Sequence, residues 1–142
     1  MHLVEVVVYT QFMDQSNAKK ILIIEDEPPM RDAISDTLKQ HAFSVLTSDN
    51  GKDGLSVALS NHPDLILLDI FMPKMDGLSM LETLRNDGWG QTVPVIILTN
   101  LNPDADQTIK TILEHKPAFY LIKSNVTLEA IVSKIKEVLQ MS

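Results

Sequence analysis

Five side chains suited to phosphoryl chemistry lie at or just after the ends of short apolar runs in this 142-residue chain. They are Glu25, Asp26, Asp69, Thr99 and Lys123. Clustered carboxylates bind a hard divalent cation such as Mg²⁺, and a carboxylate such as Asp69 can attack phosphorus to form an acyl phosphate. An ammonium and a hydroxyl, here those of Lys123 and Thr99, can stabilise the oxygens of a phosphoryl group in transit. These residue types suit magnesium-dependent phosphoryl transfer if the fold brings them together.

The apolar runs that precede these residues predict a parallel β-sheet. Runs that are uniformly apolar rather than alternating are typical of strands buried on both faces. The runs of this kind lie at 21–24, 43–46, 65–68, 95–98 and 119–122. Segments with apolar residues at spacings of three and four, typical of helices, lie between and after them. Repeated β-then-α units imply right-handed crossovers and helices on both faces of the sheet. The sequence therefore predicts a doubly wound α/β domain with a five-stranded parallel sheet.

Several residues mark where the helices should begin. Pro28 and Pro29 suit a first helical turn, where a missing N–H costs little. Asp104 is expected to cap the helix after the fourth run, and Thr127 is expected to cap the last helix. That last helix has the clearest apolar stripe, formed by Leu128, Ile131, Val132, Ile135, Val138 and Leu139.

The predicted sheet places the reactive side chains at one edge. In open α/β sheets the carboxyl ends of the strands meet, and ligands gather there. Taken alone, Glu25 and Asp26 could be a solvated loop, and Asp69 could be a turn residue. Thr99 could cap a helix, and Lys123 could be a surface lysine. Their equivalent positions in successive βα units favour one shared site. The histidines lie outside these positions and are interpreted as surface or packing residues: His2, His41, His62 and His115.

The composition excludes several classes of function. The formal net charge is −7 and the pI is near 4.9, so phosphate backbones would repel the chain and nucleic-acid binding is not expected. The chain has no cysteine, which excludes disulfides and thiolate metal sites. No apolar run approaches the ~20 residues that cross a bilayer, and the N-terminus lacks the basic flank of a secretory signal. We expect a cytoplasmic protein that contacts no membrane.

Residues 1–19 differ from the rest of the chain. Valines dominate residues 4–8, and a polar linker is predicted at 14–19. We interpret residues 1–19 as a weakly ordered extension; alternatively, the natural start is Met13 and residues 1–12 come from an upstream start codon. The alternative is an added edge strand or a contact segment for another chain. The domain itself is expected to cover residues 20–142.

Four segments resemble the receiver domains of response regulators. Residues 21–27 are similar to their first strand and acidic pocket, and residues 69–77 are similar to their phosphorylation loop. Residues 94–99 and 120–123 resemble their fourth and fifth strands. The likeness covers about residues 20–140 and is to the single-domain, chemotaxis-regulator type. It implies a flavodoxin-like fold with strand order 2-1-3-4-5.

The resemblance implies a role for each residue of the site. Asp69 would accept the phosphoryl group from a histidine kinase or phosphotransfer protein in a two-component phosphorelay, and Lys123 would pair with its oxygens. Thr99 would move toward the phosphoryl group, and Tyr120 would turn inward with it as the switch pair. Gly77 would permit the sharp turn after the loop. The implied Mg²⁺ ligands are Glu25, Asp26, Asp69 and the backbone carbonyl of Phe71.

Three positions depart from the commonest pattern of that family, and Phe71 matters for its size. Glu25 stands where aspartate is more frequent, which lengthens one arm of the acidic pocket. Asn100 replaces a small residue and is expected to crowd or hydrogen-bond the phosphoryl group. Ser124 replaces a proline that follows a cis bond, and because a non-proline cis bond costs about 2.5–4 kcal/mol, we expect trans here. Phe71 is expected to hinder the water that hydrolyses the acyl phosphate, so that autodephosphorylation is slow.

Two other functions fit part of the pattern. A magnesium-dependent phosphatase that uses an aspartyl phosphate would need a second acid two residues after Asp69, where Phe71 stands. A receiver-like interaction module that never takes phosphate stays open because of Asn100 and Ser124. For the leading hypothesis we expect no catalysis beyond the chain's own phosphotransfer and autodephosphorylation.

The expected output is contact with another protein. It would use the face of the fourth helix, fifth strand and fifth helix, in a monomer or a weak phosphorylation-dependent dimer. Because the chain ends at Ser142, soon after the last helix, we expect no output domain. A fragment of a longer regulator is the alternative.

Overall fold

The computed structural model describes residues 17–72, 74–100 and 106–141. Its strands are β1 (Lys20–Ile24), β2 (Ser44–Ser48), β3 (Leu65–Leu68), β4 (Val95–Thr99) and β5 (Phe119–Ile122). Its helices are α1 (Pro28–Gln40), α2 (Gly51–Asn61), α3 (Gly77–Arg85), α4 (Asp106–Glu114) and α5 (Leu128–Val138). A turn of 3₁₀ helix at Lys123–Asn125 follows β5. All strand pairs are parallel and the order is β2-β1-β3-β4-β5. The predicted doubly wound α/β fold with order 2-1-3-4-5 is confirmed.

Burial separates the three central strands from the two edge strands. Every residue of β3 and β4 is buried, and so is β1 except at Lys20. In contrast, β5 is half-buried throughout and β2 is mostly half-buried or exposed. The prediction that all five runs are buried on both faces is therefore wrong for β2 and β5, because an edge strand has a neighbouring strand on one side only. The strand β2 also begins one residue later than predicted, with Phe43 buried just ahead of it.

The helices cover both faces of the sheet, because alternate strand residues point to opposite sides. One core cluster lies between the sheet and the helices α1 and α5, and it includes Ile131, Val132 and Ile135 of the predicted α5 stripe. The other cluster joins the sheet to α2, α3 and Ile112 of α4. Burying each large apolar side chain contributes about 1.5–3 kcal/mol, so these two layers hold the strands in register.

Two of the predicted helix starts are confirmed. Pro28 and Pro29 occupy the first turn of α1, as expected. The Thr127 hydroxyl caps α5 by accepting the Ala130 N–H at 3.1 Å. The predicted cap Asp104 lies outside the described residues.

The predicted N-terminal extension at 1–19 also lies outside the described residues as far as residue 16. Its role stays a prediction, as does the domain boundary at residue 20. Within the segments that the structure describes, no helix has the length and apolar character needed to span a membrane.

Candidate functional site

Four strand ends carry the residues singled out from the sequence. Since β1 and β3 are neighbours, Glu25 and Asp69 emerge side by side, and the Asp69 N–H donates to the Ile24 carbonyl at 3.0 Å. Thr99 is the last residue of β4, and Lys123 begins the 3₁₀ turn after β5. The parallel topology thus brings these residues to one edge of the sheet.

Three carboxylates form an acidic cluster at this edge. Glu25, Asp26 and Asp69 each offer an oxygen, and these oxygens lie within 4.8 Å of one another. Glu25 and Asp69 are buried, whereas Asp26 is half-buried. Hard oxygen donors that repel one another at this spacing are the ligands that Mg²⁺ takes in proteins, usually with waters completing its shell. The donor set therefore fits the predicted Mg²⁺ site.

A buried lysine lies among these acids. The Lys123 ammonium is 2.8 Å from Glu25 Oε1, 3.1 Å from Asp69 Oδ2 and 3.9 Å from Glu27 Oε2, and its side chain is 7% exposed. Burial alone would lower the pKa of Lys123, but the hydrogen bonds and negative charges of Glu25 and Asp69 together outweigh burial, so its pKa is raised. The raised pKa keeps the ammonium charged beside the Asp69 carboxylate.

The positive charge of Lys123 offsets only part of the effect of burial on Glu25 and Asp69. Burial raises the pKa of Glu25, and the hydrogen bond from Lys123 opposes that rise. Burial also raises the pKa of Asp69, against the opposing effects of the Thr99 hydroxyl and Lys123. One ammonium thus faces a cluster of three carboxylates, and a divalent cation would relieve the remaining negative charge.

Two hydroxyls in this region are buried without a hydrogen-bond partner among the described residues, Thr99 Oγ1 and Tyr120 Oη. Thr99 stands close enough to Asp69 to lower the pKa of that carboxyl without completing a hydrogen bond to it. Tyr120 packs against the cluster that contains Ile112, and burial raises its pKa. A buried hydroxyl without a partner costs about 1–3 kcal/mol, so each has an energetic reason to take an acceptor if one is supplied.

The loop after Asp69 is held close to the start of α3. The Gly77 N–H donates to the Ile70 carbonyl at 2.8 Å, and a Cβ at Gly77 would collide with the Asp69 carbonyl oxygen. No glycine of the described segments has a positive φ. Glycine is needed here because helix α3 passes against the backbone of Asp69, and not because the chain makes a left-handed turn at this position.

Phe71 lies beside the Asp69 carboxylate. Its backbone N–H is 3.4 Å from Asp69 Oδ1, a long hydrogen bond, and its side chain is 55% exposed. The role of its carbonyl as a metal ligand stays a prediction.

Asn100 and Ser124 meet across the site. Asn100 Oδ1 accepts the Ser124 N–H at 3.0 Å. The described residues contain no cis peptide bond, so the bond between Lys123 and Ser124 is trans, as predicted. Asn100 was expected to crowd or hydrogen-bond the phosphoryl group, but its carbonyl oxygen is engaged with the turn that carries Lys123.

Comparison with known proteins agrees with this geometry. The family of response regulator receiver domains matches residues 21–136. The chain belongs to that family. It is a receiver of two-component phosphorelay signalling, and receivers bind Mg²⁺ at an acidic pocket and interact with histidine kinases or phosphotransfer proteins. Receiver domains act in general as phosphoacceptors rather than as enzymes.

The similar proteins differ in how much of their own length the match covers. The chain is 34% identical over 88 residues to Protein PilH of Pseudomonas aeruginosa, covering 62% of this chain and 73% of PilH. It is 35% identical over 91 residues to the probable transcriptional regulator ycf27 of Cyanophora paradoxa, covering 64% of this chain and 37% of that relative. The solved receiver domain of a histidine kinase from Syntrophus aciditrophicus has a TM-score of 0.78 at 28% identity, covering 87% of this chain and 91% of that one. The chain thus spans little more than a third of the ycf27 relative.

The receiver site contains contacts that the sequence did not predict. Glu27 is the third carboxylate near Lys123, and the Arg31 guanidinium donates to the Glu25 carbonyl at 3.0 Å. The signal for Arg31 was its place one turn into a helix that starts beside the acidic run. The three histidines within the described segments lie elsewhere, as predicted: His41 near Glu129, His62 stacked on Trp89 and His115 near Glu82.

Proposed function

We propose that Asp69 is the residue of this receiver that accepts the phosphoryl group. The observation that carries the proposal is its position: a buried carboxylate paired to Lys123 at 3.1 Å and within 4.8 Å of the oxygens of Glu25 and Asp26. A buried acid with a specific charge partner and other titratable neighbours is a usual feature of a functional site. We further propose residues 20–142 as the receiver domain and residues 1–19 as an extension.

The reaction is the transfer of a phosphoryl group from a phosphohistidine of the donor protein. An Asp69 oxygen attacks phosphorus, an O–P bond forms and the P–N bond breaks, and the imidazole leaves with the electron pair and takes a proton from solvent. Lys123 neutralises charge on the phosphoryl oxygens, and Thr99 donates its unpaired hydroxyl to one of them. Mg²⁺, held by Glu25, Asp26, Asp69 and the Phe71 carbonyl, would add positive charge at the same oxygens. In a separate reaction, water attacks the acyl phosphate, the phosphoryl group leaves as inorganic phosphate and the free Asp69 carboxylate returns.

Mass spectrometry after incubation with Mg²⁺ and phosphoramidate tests the proposal. We expect a gain of about 80 Da, the mass of one phosphoryl group, in the wild-type chain and none in Asp69→Asn. Asp36→Asn, which changes an exposed aspartate on α1, is the matched control and should take the group normally. A full adduct on Asp69→Asn would contradict the assignment. No adduct on any variant would favour a passive interaction module, and turnover of phosphate esters would favour the phosphatase alternative.

We propose that phosphorylation is read through Thr99 and Tyr120. A phosphoryl oxygen on Asp69 offers the acceptor that the Thr99 hydroxyl lacks, and Tyr120 lies on the neighbouring strand, already packed against the core. The face of α4, β5 and α5 would carry the response to a protein partner, and α4 has one large apolar residue, Leu113, that is 54% exposed. The net charge of −7 supports a protein partner rather than a nucleic acid. A monomer, or a weak dimer formed on phosphorylation, suits this mode of output.

Phe71 should prolong the life of the acyl phosphate. Replacing it with asparagine removes the exposed ring and adds polar groups that can order water, so we expect Phe71→Asn to lose phosphate about tenfold faster, equivalent to about 1.4 kcal/mol of barrier. The measurement is the decay of the phosphorylated mass after the donor is removed. Leu59→Asn, which changes an exposed apolar residue on α2, should decay at the wild-type rate. An unchanged rate in Phe71→Asn would remove this role.

A further inference from the structure

The turn that carries Lys123 is short and follows β5, the outermost strand on its side of the sheet. Lys123, Ser124 and Asn125 form one turn of 3₁₀ helix with no side-chain cap at its start. The Lys123 side chain is buried, but Ser124 and Asn125 are exposed. The direction of a long, flexible lysine depends on where its backbone is held, and edge strand β5 offers only one neighbouring strand for that purpose.

One hydrogen bond ties this turn to the next strand of the sheet. The Ser124 N–H donates to Asn100 Oδ1 at 3.0 Å, across 24 residues of sequence. Asn100 is covalently joined to Thr99, and Ser124 is covalently joined to Lys123. The hydrogen bond therefore links the chain next to Thr99, at the end of β4, to the chain next to Lys123, after β5. Thr99 and Lys123 are the two residues whose side chains we propose to contact the phosphoryl oxygens.

The bond needs a particular residue at each end. A proline at 124 would have no N–H to donate, and an alanine at 100 would have no side-chain oxygen to accept it. With a trans peptide at 123–124, the N–H of Ser124 is directed at Asn100. The two unusual residues of this site thus form one structural feature, and neither needs to touch the phosphoryl group.

We propose that Asn100 is a positioning residue that holds the Lys123 turn in place for phosphoryl transfer to Asp69. The inference rests on the proposed function of Asp69 and Lys123, and it adds a fixed link between the Thr99 and Lys123 strands. Because the hydrogen bond is exposed, water competes for it, and its loss should slow transfer moderately, by about three- to tenfold.

A double-mutant cycle separates this role from a general structural one. Asn100→Ala should take phosphate from phosphoramidate about three- to tenfold more slowly than the wild type. In a Ser124→Pro background the N–H is already gone, so Asn100→Ala should have little further effect. In a Ser124→Ala background the N–H remains, so Asn100→Ala should slow transfer by the same factor as in the wild type. The concentration of Mg²⁺ at half-maximal rate should be unchanged in Asn100→Ala, since the acidic cluster is intact.

A second measurement does not depend on activity. The Ser124 amide proton should exchange with solvent faster in Asn100→Ala than in the wild type, by about three- to tenfold, as nuclear magnetic resonance can record. Equal effects of Asn100→Ala in the three backgrounds would overturn the inference, and so would an unchanged exchange rate of the Ser124 amide. The assignment of Asp69 would still stand in either case, provided that the wild-type chain gains a phosphoryl group. A wild-type chain that takes no phosphate would overturn both together.

Discussion

Replacing Lys123 with methionine is expected to slow the phosphorylation of Asp69 by about a hundred- to a thousandfold. The Lys123 ammonium is buried, lies 3.1 Å from Asp69 Oδ2 and is the cation nearest that carboxylate in the structure as described. Charge that develops on the phosphoryl oxygens would lose a stabilising group that is already in position. Methionine keeps the length and much of the volume of the side chain, so the loss is one of charge and not of packing.

The rate of formation of the phosphorylated mass from phosphoramidate measures this effect. Lys39→Met, which removes an exposed lysine from the last turn of α1, is the matched control and should react at the wild-type rate. Lys123→Arg keeps a positive charge and should fall between the two, because a guanidinium cannot reproduce the compact ammonium. A Lys123→Met rate within threefold of wild type would show that Lys123 is only an ion-pair partner of Glu25.

The same substitution should change how stability depends on pH. Burial already raises the pKa of Glu25 and Asp69 above their ordinary values of 4.5 and 3.8, and Lys123 opposes that rise. Without Lys123 the pKa values of both acids in the folded state move higher. At a pH above the ordinary pKa values, the native state therefore binds more protons than the unfolded chain does. The free energy of unfolding therefore falls as pH rises through that window, and it falls further in Lys123→Met than in the wild type. Urea unfolding without divalent cations, at about pH 5 and about pH 8, measures how far the free energy of unfolding falls between these pH values in the wild type and in Lys123→Met.

The convergence of the site could be predicted because it follows from topology alone. In a parallel sheet every strand delivers its last residue to the same edge, so the positions of Asp69, Thr99 and Lys123 needed only the order of the elements. The strand bounds at 65–68 and 119–122 were predicted to the residue for a related reason. Their uniformly apolar runs end where the chain must leave the core.

What could not be predicted are distances between loops. Nothing in local sequence indicates that Asn100 faces Ser124 rather than the phosphoryl group, because that depends on how two strand ends are spaced. The close approach of Gly77 to the Asp69 backbone is of the same kind, since a glycine in a sequence suggests a turn before it suggests a contact. The half-exposed state of β2 and β5 was missed because an apolar run does not reveal whether its strand lies at the edge.

Arg85, which the sequence did not single out, has a large structural role because its guanidinium joins several loop carbonyls. Its guanidinium donates to the carbonyls of His115 at 2.9 Å, Gly90 at 2.9 Å, Val93 at 2.8 Å and Lys116 at 3.3 Å. These carbonyls belong to the connections before β4 and β5. One side chain at the end of α3 therefore holds two loops at the edge of the sheet opposite Asp69. Burial lowers its pKa, but the group stays charged at neutral pH.

Arg85→Met is expected to lower the free energy of unfolding by about 3 kcal/mol, because several part-buried carbonyls lose a charged donor at once. Arg85→Lys should recover less than half of this, since one ammonium cannot reach acceptors arranged around a planar fork. Urea unfolding measures both.

The other arginine is the matched control. Arg31 donates to a single carbonyl, that of Glu25, and Arg31→Lys should lower the free energy of unfolding by less than about 1 kcal/mol. The folded Arg85→Lys protein should still take phosphate at the wild-type rate, because its contacts lie at the far edge of the sheet. A loss of phosphorylation without a loss of stability would show that these loops act on Asp69 across the sheet.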